Sequence, residues 1–339
     1  MKKLMITGSY PPNDVCGVGD YTACFMAETN KQEWALYYSN DWSLKTLKNK
    51  IKEINSYNSK FIIMQYPTQG YGWSIVPQFI ALYYSLFTKK KFITVLHEFS
   101  QRTTKAKIAT IPFLLSDNII FSNTFEKNFA EKILPFRKNK YNIIKIFSNI
   151  SSPKKINSLS ERDYDICYFG HIRPLKGLED FIEVVSKFKN KKILIIGQVL
   201  NEYKEYANKM EKECINGNIS FMYNKRIEEV SNLLNKTKIA FLPFPDGVSE
   251  RRGTMLAALS NGTVVVTYKG KFSTDGLIKT CFITNKENAF KDISNLLEGL
   301  NDSKFANIQE MNKEYLNKEI PHSWKDIVNM YDTTINSIL

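Results

Sequence analysis

The chain has 339 residues, 43% of them hydrophobic, which is enough for two domains of ordinary size, each with its own core. Its formal charge of +13 is uneven: residues 1–150 hold 20 Lys and Arg against 10 Asp and Glu, the remainder 27 against 24, so the amino-terminal half is the part suited to a polyanion, either nucleic acid or an anionic membrane surface. Five scattered cysteines without a CxxC pair, and only three histidines, exclude a disulfide scaffold and a zinc module and point to a reducing compartment.

Strand-like and helix-like patterns alternate from the first residues, as parallel sheets with crossover helices require. In the first half strands are expected at 3–7, 34–38, 61–65, 92–96, 118–122 and 142–147, and helices at 19–28, 75–87, 105–115 and 125–134. The opening apolar segment is too short for a signal peptide and reads as the first strand. The longest apolar stretch, 73–87, contains Pro77 and Gln78 and falls short of a membrane span. A cytoplasmic protein is expected.

Residues 151–163, polar and holding Pro153, Lys154 and Lys155, read as a linker. A second alternating series follows, with strands at 166–169, 192–196, 219–223, 239–243 and 264–267 and helices at 178–188, 203–215, 227–234 and 254–260. Residues 323–339 close the chain with a helical apolar stripe at Trp324, Ile327, Val328, Tyr331 and Ile335. The expected fold is α/β: two doubly wound domains in tandem, at 1–150 and 164–322.

The most informative segment is 246–266. A buried strand runs into a loop with Asp246, Glu250, Arg251 and Arg252, and Gly253 and Thr254 then open a small-residue helix. Such a helix start offers N–H groups and a positive dipole end, and paired arginines supply planar donors for phosphate oxygens. A surface arginine pair is the plain alternative, but the carboxyl end of a strand is where open α/β sheets bind ligands. A second cationic turn, from Phe169 to Gly177, carries Gly170, Arg173 and Lys176 at another strand end.

In the first half, the first strand leads into Gly8-Ser-Tyr-Pro-Pro and then Gly17 and Gly19 before a helix, either a close approach to a ligand or an ordinary strand-to-helix turn. The dinucleotide fingerprint is not met, since Thr22 stands where its third glycine belongs, and no GxxxxGK[ST] loop occurs. His97 ends a strand, where it could hydrogen-bond a sugar or simply be a packed histidine. Gln65, Tyr66, Tyr71 and Trp73 follow another strand and combine aromatic faces with an amide, suitable for lining a sugar acceptor; core packing accounts for Tyr66 and Trp73 equally well.

Together these motifs resemble the GT-B glycosyltransferases, specifically the large retaining group that uses nucleotide-sugar donors. The resemblance rests on Pro-Pro-x4-Gly-x-Gly, His97, Gly-x-x-Arg-Pro-x-Lys-Gly, Glu-Arg-Arg-Gly-x3-Ala-Ala-Leu-x2-Gly and the final Ser-Trp helix, in order along nearly the whole chain. It implies two Rossmann-like domains facing a cleft, donor held mainly by the second and acceptor by the first, no cofactor or metal, and a last helix crossing back to the first domain. Arg173 and Lys176 would hold the donor diphosphate, Gly17 and Gly19 would let it approach, and His97 would contact the transferred sugar. Two glutamates usual in the group are replaced here by Ser249 and Ala257. Glu250, one position along, with Arg251 and Arg252, would then take over donor recognition, and a deoxyribose donor would need the missing clamp less.

The expected partners are a nucleotide-sugar donor and a glycan or polyprenyl-linked acceptor in surface polysaccharide synthesis. Lys89-Lys90-Lys91, after the aromatic segment 73–87, suits an enzyme peripheral on an anionic inner membrane face, or is a solvated helix end. Nucleic acid is disfavoured, because the basic excess comes with no recognised module. A nucleotide-sugar epimerase of the same shape, or a non-catalytic sugar-nucleotide-binding protein, remains the alternative.

Overall fold

The computed structural model describes residues 2–12, 16–214 and 217–338, and the chain divides into two compact units, Met1–Ile146 with Pro321–Leu339, and Phe147–Ile320. In the first unit the order is β1 (Lys3–Thr7), α1 (Gly17–Glu28), β2 (Trp34–Tyr38), α2 (Leu47–Ser56), β3 (Phe61–Tyr66), α3 (Val76–Phe87), β4 (Lys91–Leu96), α4 (Thr104–Thr110), β5 (Asn118–Phe121), α5 (Thr124–Ile133) and β6 (Tyr141–Ile143). The six strands form one parallel sheet in the order β2-β1-β3-β4-β5-β6. β1 and β3 are buried at every position, the continuous apolar run of a strand covered on both faces.

The second unit repeats the plan with β7 (Tyr164–His171), α6 (Leu178–Val185), β8 (Ile193–Gln198), α7 (Lys204–Glu213), β9 (Ile219–Tyr223), α8 (Ile227–Asn235), β10 (Thr237–Leu242), α9 (Gly253–Ser260), β11 (Val264–Tyr268), α10 (Asp275–Thr280), β12 (Phe282–Thr284), α11 (Ala289–Glu298) and α12 (Asp302–Glu319). Its sheet, also parallel, runs β12-β11-β10-β7-β8-β9. The strand order reverses between β7 and β10, so the loops after these two strands flank the switch point where such sheets bind ligands.

The last helix, α13 (Trp324–Asn336), returns to the first unit as expected. Ser323 caps it, its hydroxyl accepting from Asp326 N. Lys3 Nζ pairs with Asp332 at 2.7 Å, Tyr21 and Tyr331 share a hydroxyl contact at 3.2 Å, and the Phe25 and Tyr331 rings lie 4.8 Å apart. Burial pushes the Tyr331 phenol well up, so this pair stays neutral.

Several sequence-based boundaries change. The strand expected at 142–147 is only Tyr141–Ile143, and 105–115 splits into α4 and a 3-10 turn, Ile111–Leu115, where Pro112 removes a helix donor. Ile215, the end of the helix expected at 203–215, and Leu339 lie outside the described residues, as do residues 13–15 of the first glycine motif. Residues 151–163 are no free linker: a 3-10 turn, Leu159–Glu161, closes a capping box with Ser158, and Arg162 is 4% exposed. The Arg162 guanidinium donates to the carbonyls of Thr237, Leu234 and Asn261 and lies 4.8 Å from the centre of the Phe305 ring. A polar segment can thus be integral to the unit when one long side chain satisfies buried carbonyls.

Candidate donor site

β7 ends in His171, and the turn to α6 contains two left-handed residues, Leu175 (φ +63°) and Gly177 (φ +86°). Leu175 pays a steric penalty there, being no glycine. The turn is held by Tyr168, whose buried hydroxyl donates to the carbonyls of Lys176 (3.1 Å) and His171 (3.4 Å). Gly177 sits against the other loop: a Cβ on it would lie 2.1 Å from the Pro243 carbonyl oxygen, so only glycine fits both the conformation and the space. Gly170 has a similar role, since its Cβ would come within 2.9 Å of the Tyr168 hydroxyl.

The loop after β10 runs over Pro243, Phe244 and Asp246 to Arg252, directly before α9. Among the described residues no side chain caps α9. Arg252 pairs with Asp246 and its guanidinium lies 4.5 Å from the centre of the Phe244 ring. The Tyr168 phenol, raised chiefly by burial and by Glu179, is held down by Arg173 from one loop and Arg252 from the other. The two cationic turns lie against each other at the switch point, Gly177 of one facing the Pro243 carbonyl of the other. Arg173, Lys176, Arg251, Arg252, Gly253 and Thr254 are all partly exposed. His171 stands beside them with its imidazole pKa lowered, first by desolvation and then by Lys176 and Arg173.

Two residues of this loop face inward. Ser249 is 3% exposed with its hydroxyl buried and without a hydrogen-bond partner, and Glu250 is 5% exposed. The Glu250 charge helps burial push up the phenol of Tyr315 on α12. The role expected for Glu250 in gripping or activating the donor is corrected accordingly, because its carboxylate belongs to the interior, and Ser249 presents no surface to a ligand. Ala257 is wholly buried in α9. Gly253 needs no glycine for space or conformation. A separate cavity of about 610 Å³ beyond the ends of β11 and β12 shares Pro245 with the arginine loop, but none of the cations of the two turns lines it.

In the first unit His97 follows β4 and is 8% exposed. Its Nε2 lies 2.6 Å from Gln65 Oε1, and its ring meets Tyr21 edge-on at 5.3 Å. Since the Gln65 amide nitrogen donates to Met5 Sδ, the amide oxygen accepts from His97, which puts the imidazole proton on Nε2. Gln65 is thus a positioning residue for His97, and its expected place in an acceptor lining is corrected: it has no exposed surface.

Tyr66 and Tyr71 are corrected in the same way. Tyr66 is 5% exposed, with its hydroxyl accepting from Arg102 at 2.9 Å, and Tyr71 is 3% exposed against the Trp42 ring at 4.6 Å. Of the four residues only Trp73, 86% exposed, offers a free face. Gly19 closes on the Ser9 carbonyl, where a Cβ would sit at 3.0 Å, whereas Gly17 is open. The tightest approach in this region involves Gly70, whose Cβ would fall 1.6 Å from the Gly8 carbonyl oxygen. Sequence reasoning missed Tyr168; its signal was a tyrosine inside the strand just before the turn it braces.

Residues 150–303 match the family model described as glycosyl transferases group 1. Among solved structures, a glycosyltransferase from Rickettsia africae ESF-5 is similar at a TM-score of 0.74 and 15% identity, covering 99% of this chain and 98% of that one. The catalytic domain of starch synthase IV from Arabidopsis thaliana, bound to ADP and acarbose, is similar at 0.64 and 10%, covering 99% of each chain. The lipopolysaccharide outer core galactosyltransferase WaaB is similar at 0.61 and 11%, covering 100% of each. No curated protein matches the chain by sequence. With its two parallel six-stranded units the chain has the GT-B fold of these glycosyltransferase structures, and its residues 150–303 are similar to the glycosyl transferases group 1 family.

Proposed function

We propose that the protein moves a sugar from a nucleotide diphosphate sugar to a glycan or lipid-linked glycan acceptor in surface polysaccharide synthesis, with retention and without a metal. The observation that carries this reading is the close approach of the two cationic turns: a Cβ on Gly177 of the first would lie 2.1 Å from the Pro243 carbonyl oxygen of the second, and Tyr168 braces the first through the Lys176 carbonyl at 3.1 Å. Two cationic turns at one switch point, beside the start of α9, suit a single pyrophosphate. The starch synthase, solved with ADP, supports a nucleotide donor, and the lipopolysaccharide galactosyltransferase supports a surface glycan as acceptor.

In this reading the bond from the anomeric carbon to the terminal phosphate oxygen breaks as the acceptor oxygen bonds to the same carbon from the same face. The acceptor proton passes to the departing phosphate. Arg173, Lys176, Arg251 and Arg252 stabilise the growing negative charge, which preorganised cations do effectively. His97, oriented by Gln65, holds a hydroxyl of the transferred sugar. With Ser249 and Ala257 in place of carboxylates, ribose is held without a charged clamp, which favours donors whose base carries deoxyribose.

The test is incubation with a panel of uridine, guanosine and thymidine diphosphate sugars, with and without glycan acceptors, in the presence of a chelator. Acceptor-dependent release of nucleoside diphosphate with retained anomeric configuration supports the proposal. Release of a free epimerised sugar nucleotide without acceptor, or binding without turnover, refutes it.

A further inference from the structure

α3 is apolar on both sides. Val76, Ile80, Ala81 and Tyr84 are buried, while Ile75, Phe79, Leu86 and Phe87 on the outside are 46%, 46%, 57% and 76% exposed. Ile75, Phe79 and Leu86 stand at i, i+4 and i+11, a spacing that lines one helical face. The helix has no charged residue along its length. A helix apolar all round belongs in a core or against another apolar phase, and a contiguous apolar patch of this kind on a protein surface marks an interaction site.

The neighbouring surface extends the patch. Gln78 of α3 donates to the Ala109 carbonyl at 3.1 Å, so α4 lies alongside, and there Ile108 is 62% exposed. Exposed lysines border the apolar residues: Lys89 just past the end of α3 and Lys105 on α4. The other two lysines of the 89–91 run are engaged elsewhere, Lys90 with the Ser59 carbonyl at 2.9 Å and Lys91 with Asp117 at 3.2 Å. The basic contribution at that corner is therefore Lys89 and not the triplet. Among the described residues no helix is long and apolar enough to cross a membrane.

We infer that the outer face of α3, with Ile108 of α4, inserts into the headgroup region of an anionic bilayer, while Lys89 and Lys105 contact lipid phosphates. Aromatic and aliphatic side chains rimmed by cations are what an interfacial surface needs, the apolar part supplying depth and the cations attraction to anionic lipid. The basic excess of residues 1–150 has the sign this occupant requires. The inference rests on the proposed lipid-linked acceptor only for its biological sense; the binding itself is independent of catalysis.

Sedimentation of the full chain with phosphatidylglycerol–phosphatidylcholine vesicles tests it, beside a triple variant Phe79→Ser, Leu86→Ser, Phe87→Ser and a charge variant Lys89→Glu, Lys105→Glu. The wild type is expected to sediment with anionic vesicles and less so with neutral ones or at high salt. The triple variant should lose roughly tenfold or more of the binding at any salt, and the charge variant should lose mainly the salt-sensitive part. Thermal unfolding of each variant and turnover with a soluble acceptor report folding and the chemistry separately, so a failed transferase reading shows as absent turnover with vesicle binding intact. Equal sedimentation of wild type and folded triple variant, indifference of the wild type to anionic lipid, or a solution dimer that the same substitutions dissociate overturns the inference.

Discussion

The Tyr168 hydroxyl donates to the Lys176 carbonyl at 3.1 Å, so a side chain of β7 fixes the turn that carries the first pair of cations. Tyr168→Phe removes this bond and the weaker one to His171 without changing the packed ring. Loss of about 1 kcal/mol in stability is expected from a hydrogen bond of this type, read by urea unfolding. Because the turn includes a left-handed Leu175, affinity for a nucleoside diphosphate should also fall, and titration calorimetry on the folded variant measures it. Unchanged affinity would mean that the turn holds its shape without Tyr168.

Arg162 is the second structural device with a clear expectation. Burial lowers its guanidinium pKa to about 10, and the group compensates by donating to three buried carbonyls of the second unit. Arg162→Met keeps much of the apolar stem and removes every donor. A destabilisation of about 3 kcal/mol follows from carbonyls left unsatisfied, checked by chemical denaturation. Because the folded-state pKa is depressed below the unfolded value, the desolvation penalty on the charged form is present at neutral pH and is relieved only as pH rises past about 10.

His171 gives a pH signature of the donor site. Its pKa is held below the ordinary histidine value by desolvation and by Lys176 and Arg173, so the ring is neutral at pH 7. A bound pyrophosphate offsets the two cations and pushes this pKa up, and by linkage the affinity for an intact nucleotide sugar should strengthen as pH falls toward the range where His171 protonates. The donor itself keeps a fixed charge there. Calorimetry at stepped pH with wild type and His171→Gln checks this, and the pH dependence should be absent in the variant.

The cysteines divide by burial. Cys167 and Cys281 have thiol pKa values pushed up to about 12 by burial. At pH 8 both should resist a thiol-exchange reagent in the native protein and react at once after denaturation, because the thiolate is the nucleophile. Mass mapping of the labelled sites checks it.

How much of this was visible in the sequence depends on where each residue finds its partner. β1, β2 and β9 have the boundaries their apolar runs suggest, β1 because a strand buried on both faces writes itself as a local pattern and the edge strands β2 and β9 through their β-branched and aromatic residues. α12 was not seen, because its buried positions, Phe305, Ile308, Asn312 and Tyr315, form a narrow stripe that includes a polar residue, and Asn312 is inside only because it donates to the Thr263 carbonyl. Both cationic turns were legible as motifs. That Glu250 is buried while Arg252 pairs with Asp246 and stays partly exposed was not, since the choice is made by contacts outside the loop's own pattern. Gln65 and Tyr66 looked like a ligand lining for a related reason: a polar aromatic segment after a strand reads the same whether its partners are a sugar or, as here, His97 and Arg102.

The central claim is that the turns after β7 and β10 hold one pyrophosphate between them, and a double-mutant cycle on Lys176→Ala and Arg252→Ala measures it most directly. Each single change is expected to weaken nucleoside diphosphate binding by about tenfold, near 1.4 kcal/mol, while leaving the corresponding nucleoside unaffected. The combined loss should depart from the sum of the two, as it does for groups that grip one ligand. Diphosphate affinity unchanged by either substitution, or equal losses for diphosphate and nucleoside, would contradict the account.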